Sequence, residues 1–116
     1  MNLDGKVLEV VPRLIRAASA SPSKYLVAAV AYTRKGNILG ITRNTHRGCD
    51  SLKQRKGASL HAEMRLMSKH GRAIDTIYIL RVGASRDRLP ICACDVCAKT
   101  AKKLNIRIVS LDDIVA

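Results

Sequence analysis

Tryptophan and phenylalanine are absent from this sequence, and three tyrosines are its whole aromatic complement. A chain so poor in rings lacks the stacking platforms with which single-strand nucleic-acid binders usually hold bases. Prolines number only three while 47% of residues are apolar, a balance that argues against a disordered chain. Long apolar runs are missing too. No stretch approaches the ~18 uninterrupted apolar residues of a membrane span. The first apolar run is broken by Pro12, Arg13 and Arg16, so neither a signal peptide nor a membrane partner is expected. The expected location is cytoplasmic.

Acidic residues are also scarce. Nine Asp and Glu stand against 21 Lys and Arg, for a net charge of +12. This imbalance points to an anionic partner, and phosphate is the obvious candidate, on a nucleotide or along a nucleic-acid strand. The plainer reading is a surface kept soluble by charge of one sign. Basic side chains without aromatic neighbours favour attraction to phosphate over stacking on bases. A length of 116 residues gives room for one compact domain spanning 1–116. A domain of this size buries roughly two-thirds of its unfolded surface and needs no disulfide support.

The apolar pattern predicts the order α-β-β-α-β-α-β. Val7, Leu8, Val11, Leu14 and Ile15 recur at helical spacing over 5–18, with Pro12 inside the pattern as a site of late start or kink. The nearly continuous apolar run at 24–33 predicts a buried strand. A turn at 35–37 and a second strand over 38–44 complete a hairpin. Residues 45–58 are polar, basic and punctuated by glycine, and are expected to form a loop. A helix follows from Ser59 or Leu60 and stops at Gly71. A strand over 75–83, a loop over 85–93, a helix over 94–105 and a strand over 106–111 complete the chain. Asn105 is a candidate left-handed cap for the last helix. Such an order describes an α/β domain with a mixed sheet flanked by helices.

Of the four cysteines, Cys92, Cys94 and Cys97 crowd into six positions, which in a cytoplasmic chain reads as a metal site. Cys94 and Cys97 fall at the opening turn of a predicted helix, where a spacing of three turns both thiols to one side. Exposed N–H groups at a helix start stabilise the thiolate that zinc binds. His61 opens the other predicted helix and supplies a neutral third ligand. Three protein ligands leave a fourth tetrahedral position for water, as catalytic zinc sites do. Zinc makes water nucleophilic near neutral pH. Glu63, two residues beyond His61, is placed to carry protons as a general acid-base.

His61-Ala62-Glu63 followed by Cys94-x-x-Cys97 resembles the H-x-E…P-C-x-x-C signature of the zinc-dependent nucleobase deaminases. Over residues 24–111 the pattern resembles the cytidine/deoxycytidylate deaminase family. ILGITRN resembles the family's second strand, SLHAEM its first zinc motif, and TIYILRV followed by CDVCAKTAKKLNI its later strand and cysteine helix. The resemblance implies a three-layer α-β-α sandwich around a mixed four- to five-stranded sheet, with 1–116 as a single deaminase domain. It implies Zn2+ as cofactor, held by His61, Cys94 and Cys97, with Glu63 catalytic. It makes Asn44 and Ala62 substrate contacts. The reaction it implies is hydrolytic deamination of a cytosine nucleoside or nucleotide to the uracil product, with release of ammonia. Neighbouring copies commonly complete one another's sites in small family members, which implies a homo-oligomer. This chain departs from the pattern in having Ala93 before the first cysteine, with Pro90 three residues earlier, and Asn105 where glycine is usual.

Other readings stay open on the residues themselves. Cys92 offers an alternative sulfur, in a Cys92/Cys94 or Cys92/Cys97 pairing. A structural zinc site completed by Cys92 or Cys49 would make the chain a non-catalytic nucleic-acid-binding module, a use in which Glu63 has no role. The charge of +12 also suits a deaminase acting on cytosine or adenine within a DNA or RNA single strand. Asn44 could merely begin a turn. Arg43, with Arg47, Lys53, Arg55 and Lys56, either meets a substrate phosphate or forms a solvated loop. Arg81 at a strand end could face either the site or solvent.

Overall fold

Strand alternation divides the apolar residues of this chain between two cores, one on each face of a mixed sheet. A computed structural model describes residues 3–20, 26–44, 61–85, 87–91, 93 and 95–111. Helix α1 covers Leu3–Ser19, β1 Leu26–Tyr32 and β2 Ile38–Arg43. Helix α2 covers Ala62–His70 and runs into a single 3-10 turn at Gly71–Ala73. Strand β3 is Thr76–Val82, β4 Arg88–Leu89, helix α3 Asp95–Leu104 and β5 Arg107–Ser110.

Strand β1 pairs antiparallel with β2 and with β3, and β5 runs parallel to β3 along its other edge. The two-residue β4 extends that edge opposite Arg81 and Val82, within a segment expected as loop. Within β1, Ala28, Val30 and Tyr32 join one core, and Val27, Ala29 and Ala31 the other. The period of two places alternate side chains on opposite faces. Helix α1 covers the first core with Val7, Val10, Leu14 and Ala18, which recur at helical spacing. Helices α2 and α3 cover the second through Met64, Leu66, Met67, Cys97 and Ala101.

Pro12 does not interrupt α1. Proline cannot bond to the carbonyl four residues back, here that of Leu8. Both residues lie on the exposed side, Leu8 at 46%, so the freed carbonyl can meet water. Gly71 ends α2 at φ 53, a left-handed backbone that suits glycine, and its N–H bonds to the carbonyl of Met67.

The topology gives the sheet two unlike ends. The start of β1, the ends of β2 and β3 and the first turns of α2 and α3 gather at one end. At the other, Asp75 N–H bonds to Tyr32 O, Arg107 N–H to Asp75 O, and Lys6 Nζ donates to Gly36 O. No helix among the described residues is long and apolar enough to cross a membrane.

Candidate metal centre

His61 is the N-cap of α2, with extended backbone at φ −70, ψ 144 and no side-chain capping bond. Its carbonyl accepts the N–H of Arg65 at 3.0 Å, so the backbone opens the helix and the imidazole projects independently of it. Two further bonds tie this turn to the end of β2. Thr42 Oγ1 donates to Ala62 O at 2.7 Å, and Arg65 Nη1 donates to Arg43 O at 3.4 Å. Glu63 follows in the first turn, where a carboxylate suits the positive end of the helix dipole.

Helix α3 brings Cys97 to the same place. The cysteine is fully buried, and its Sγ lies 3.5 Å from His61 Nδ1. One ligand atom from each of His61, Glu63 and Cys97 can be chosen so that all lie within 4.8 Å of one another. This group could hold a metal ion. Zinc bonds of about 2.3 Å to sulfur and 2.0–2.1 Å to nitrogen, at the tetrahedral angle, separate S and N by about 3.6 Å. The observed separation is that of two ligands on one ion. A thiol–imidazole hydrogen bond also suits this distance, and the Glu63 carboxyl stands beside the pair as the third donor of the group.

Glu63 is only 4% exposed. Burial raises its carboxyl above the ordinary carboxylate range, and its own backbone N–H and the nearby His61 offset only part of the rise. A carboxyl so placed takes up and releases protons closer to neutrality than an exposed one does.

Of the predicted site residues, the structure brings together His61, Glu63 and Cys97. Cys94 lies outside the described residues, as do Cys92 and Cys49 and the loop residues Arg47, Lys53, Arg55 and Lys56. Asn44 stands just past β2, buried and clamped to Val27 near the start of β1. Its N–H donates to Val27 O and its Oδ1 accepts the N–H of Val27, both at 3.1 Å. Ala62 is fully buried between His61 and Glu63, and Arg43 is exposed at the end of β2.

Two residues outside the sequence motifs help to build the site. Thr42 and Arg65 fasten α2 to β2 and so set where His61 and Glu63 stand. Strand alternation carried the signal for Thr42, which lies two positions before Asn44. Arg81 is half-buried and alternates in step with Ile77 and Ile79, whose side chains belong to the core under α2 and α3. The chain matches no family model and no curated protein sequence.

Proposed function

We propose that this chain is a zinc-dependent hydrolase that deaminates a cytosine nucleoside or nucleotide, giving the uracil product and ammonia. The observation that carries the reading is the cluster of thiol, imidazole and buried carboxyl at two facing helix starts, with sulfur and nitrogen 3.5 Å apart. The two cores on opposite faces of the sheet support the three-layer, cytidine deaminase-like arrangement to which the motifs are similar.

His61 and Cys97, with Cys94 as the further ligand the motif supplies, would hold a zinc ion, which would supply a water nucleophile near neutral pH. Glu63 is the proton carrier. Its carboxylate takes the proton from the attacking water and passes it to N3 of the ring. It then takes the remaining proton of the hydroxyl added at C4 and gives it to the amine as the C4–N bond breaks and the carbonyl forms, so that water and cytosine leave as uracil and ammonia. Burial suits Glu63 to the task, because a raised pKa lets one group both accept and return a proton. Asn44, held by Val27 at the rim of the same end, orients the substrate.

The test is ammonia release by zinc-loaded protein given cytidine, deoxycytidine, deoxycytidine monophosphate or a cytosine-containing single strand. Glu63→Gln should lower turnover about 10²–10⁴-fold, the usual worth of general acid-base catalysis, while zinc content stays the same. Undiminished turnover in that variant would sink the assignment of Glu63. Turnover of the strand alone would favour a polynucleotide deaminase, the reading to which the charge of +12 lends weight.

A further inference from the structure

The end of the sheet away from the metal cluster carries a cleft of about 270 Å³ whose lining includes Arg34, Arg72, Asp75 and Asn105. Strand β3 runs from this cleft to the metal end over a length of roughly 20 Å, at about 3.3 Å per residue. The two places are therefore distinct sites on the molecule.

Besides Arg34 and Arg72 in the lining, further cations adjoin the lining residues along the chain. Lys35 adjoins Arg34 in the turn after β1, Lys102 and Lys103 end α3, and Arg107 begins β5, all exposed. The lysines at the end of α3 have an ordinary use, since cations suit a helix C-terminus. Arg34 and Arg107 serve no helix. Asp75 pairs with Arg34 only at the limit of an ion pair, with Nε and Oδ1 4.0 Å apart and the Arg34 side chain 91% exposed, so the pair is solvent-screened and yields readily to a competing anion. The other oxygen of Asp75 already accepts the Thr76 hydroxyl at 2.8 Å. The guanidinium groups at the cleft are thus available to an incoming anion.

We infer that this basic cleft and its rim bind the phosphodiester backbone of a nucleic-acid strand, apart from the metal centre. The layout selects a polyanion over a single phosphate, because the cations are exposed and spread over a turn, a helix end and a strand start instead of converging in a closed pocket. Among the described residues no aromatic side chain lines the cleft, so contacts there are to the backbone and binding is independent of sequence. The affinity is electrostatic and falls steeply with salt.

The test is fluorescence anisotropy of a labelled 20-nucleotide oligothymidylate, which offers no cytosine or adenine to the metal centre, titrated with the full chain over a range of salt. Arg34→Ala/Arg72→Ala should flatten the plot of log K against log salt by about 1.4, at roughly 0.7 per lost phosphate contact on a single strand. At 0.1 M salt this corresponds to an affinity about 25-fold lower. Arg13→Ala/Arg16→Ala on α1 removes the same net charge elsewhere and should cost far less. Glu63→Gln should bind as the parent does, so the result stands whether or not the chain proves to be a deaminase. Equal losses in the two arginine pairs would overturn the site in favour of diffuse attraction. Displacement of the strand by inorganic phosphate at matched ionic strength would overturn the polyanion in favour of a single-anion pocket. Binding to phosphatidylserine vesicles without binding to the oligonucleotide would overturn the choice of partner.

Discussion

Cys97 Sγ and His61 Nδ1 lie 3.5 Å apart although 36 positions separate them in the chain. The contact exists because α2 and α3 both begin at the same end of the sheet, one after β2 and the other beyond β4. His61 caps one helix and Cys97 lies in the first turn of the other, so the two side chains meet through the backbone's own layout. Cys97→Ala should therefore abolish stoichiometric zinc binding while leaving the fold in place, as measured by metal analysis and circular dichroism. Retained zinc in that variant would mean that the ion is held without Cys97.

Asn44 makes a different kind of prediction, because its side chain has a structural duty at the end of β2. Replacing it with alanine leaves the buried N–H of Val27 without its acceptor, a loss worth about 1–3 kcal/mol. Asn44→Asp keeps an oxygen in place and should recover most of that loss. Urea denaturation distinguishes the two. If Asn44→Ala unfolds at the same midpoint as the parent, the clamp on Val27 is not stabilising.

The cluster was legible in the sequence because its chemistry is local. His61 and Glu63 sit two apart, Cys97 follows a helix start, and a metal requires donors of those types. The apolar runs of β1 and β3 were equally plain, since both strands are buried on two faces and contain few polar residues. Strand β4 was not legible. Arg88 and Leu89 form a strand only because Val82 and Arg81 offer them an open edge, which no local pattern encodes. Pro12 shows the converse. Its rule against helix interiors is local, but the exposed face of α1 relieves it, and only packing defines that face. The fastening roles of Thr42 and Arg65 stayed hidden for the same reason, as both act through backbone carbonyls far away in sequence.

Tyr32 is buried at 1% exposure, and its hydroxyl has no hydrogen-bond partner among the described residues. Its ring meets Tyr78 edge-on, with centroids 5.8 Å apart, a contact that phenylalanine would preserve. Tyr32→Phe should thus be neutral or stabilising by about 1 kcal/mol at pH 7. The larger difference is expected in alkali. Burial, reinforced by Glu9 and partly opposed by Arg13, raises the Tyr32 phenol above its usual 10.0. Below that value the phenol is protonated in both states and the fold keeps its full stability. Above it the unfolded chain releases the proton first, so stability falls as pH rises towards the folded value. Thermal melts of parent and variant should diverge above about pH 10, with the variant the more stable. Parallel curves would show that the phenol ionises freely in the folded chain.

Asn105 ends α3 in the left-handed region at φ 63. Its N–H bonds to Lys102 O at 3.2 Å, and the N–H of Ile106 reaches back to Ala101 O at 2.8 Å. This pair of bonds is the Schellman closure, and the accompanying apolar contact is present, since Ala101 and Ile106 are buried in one core. A side chain bearing Cβ pays roughly 1–2 kcal/mol to stand at such a φ, and asparagine recovers part of it through local hydrogen bonding. Glycine has no such cost, although it surrenders more freedom on folding. The stability order should therefore be Asn105→Gly above the parent and the parent above Asn105→Ala, with about 1 kcal/mol between the extremes. That spread corresponds to a shift in Tm of about 4 °C for a domain of this size. Calorimetry on the three proteins decides it, and Asn105→Ala melting level with Asn105→Gly would show that the left-handed turn is not kept in solution.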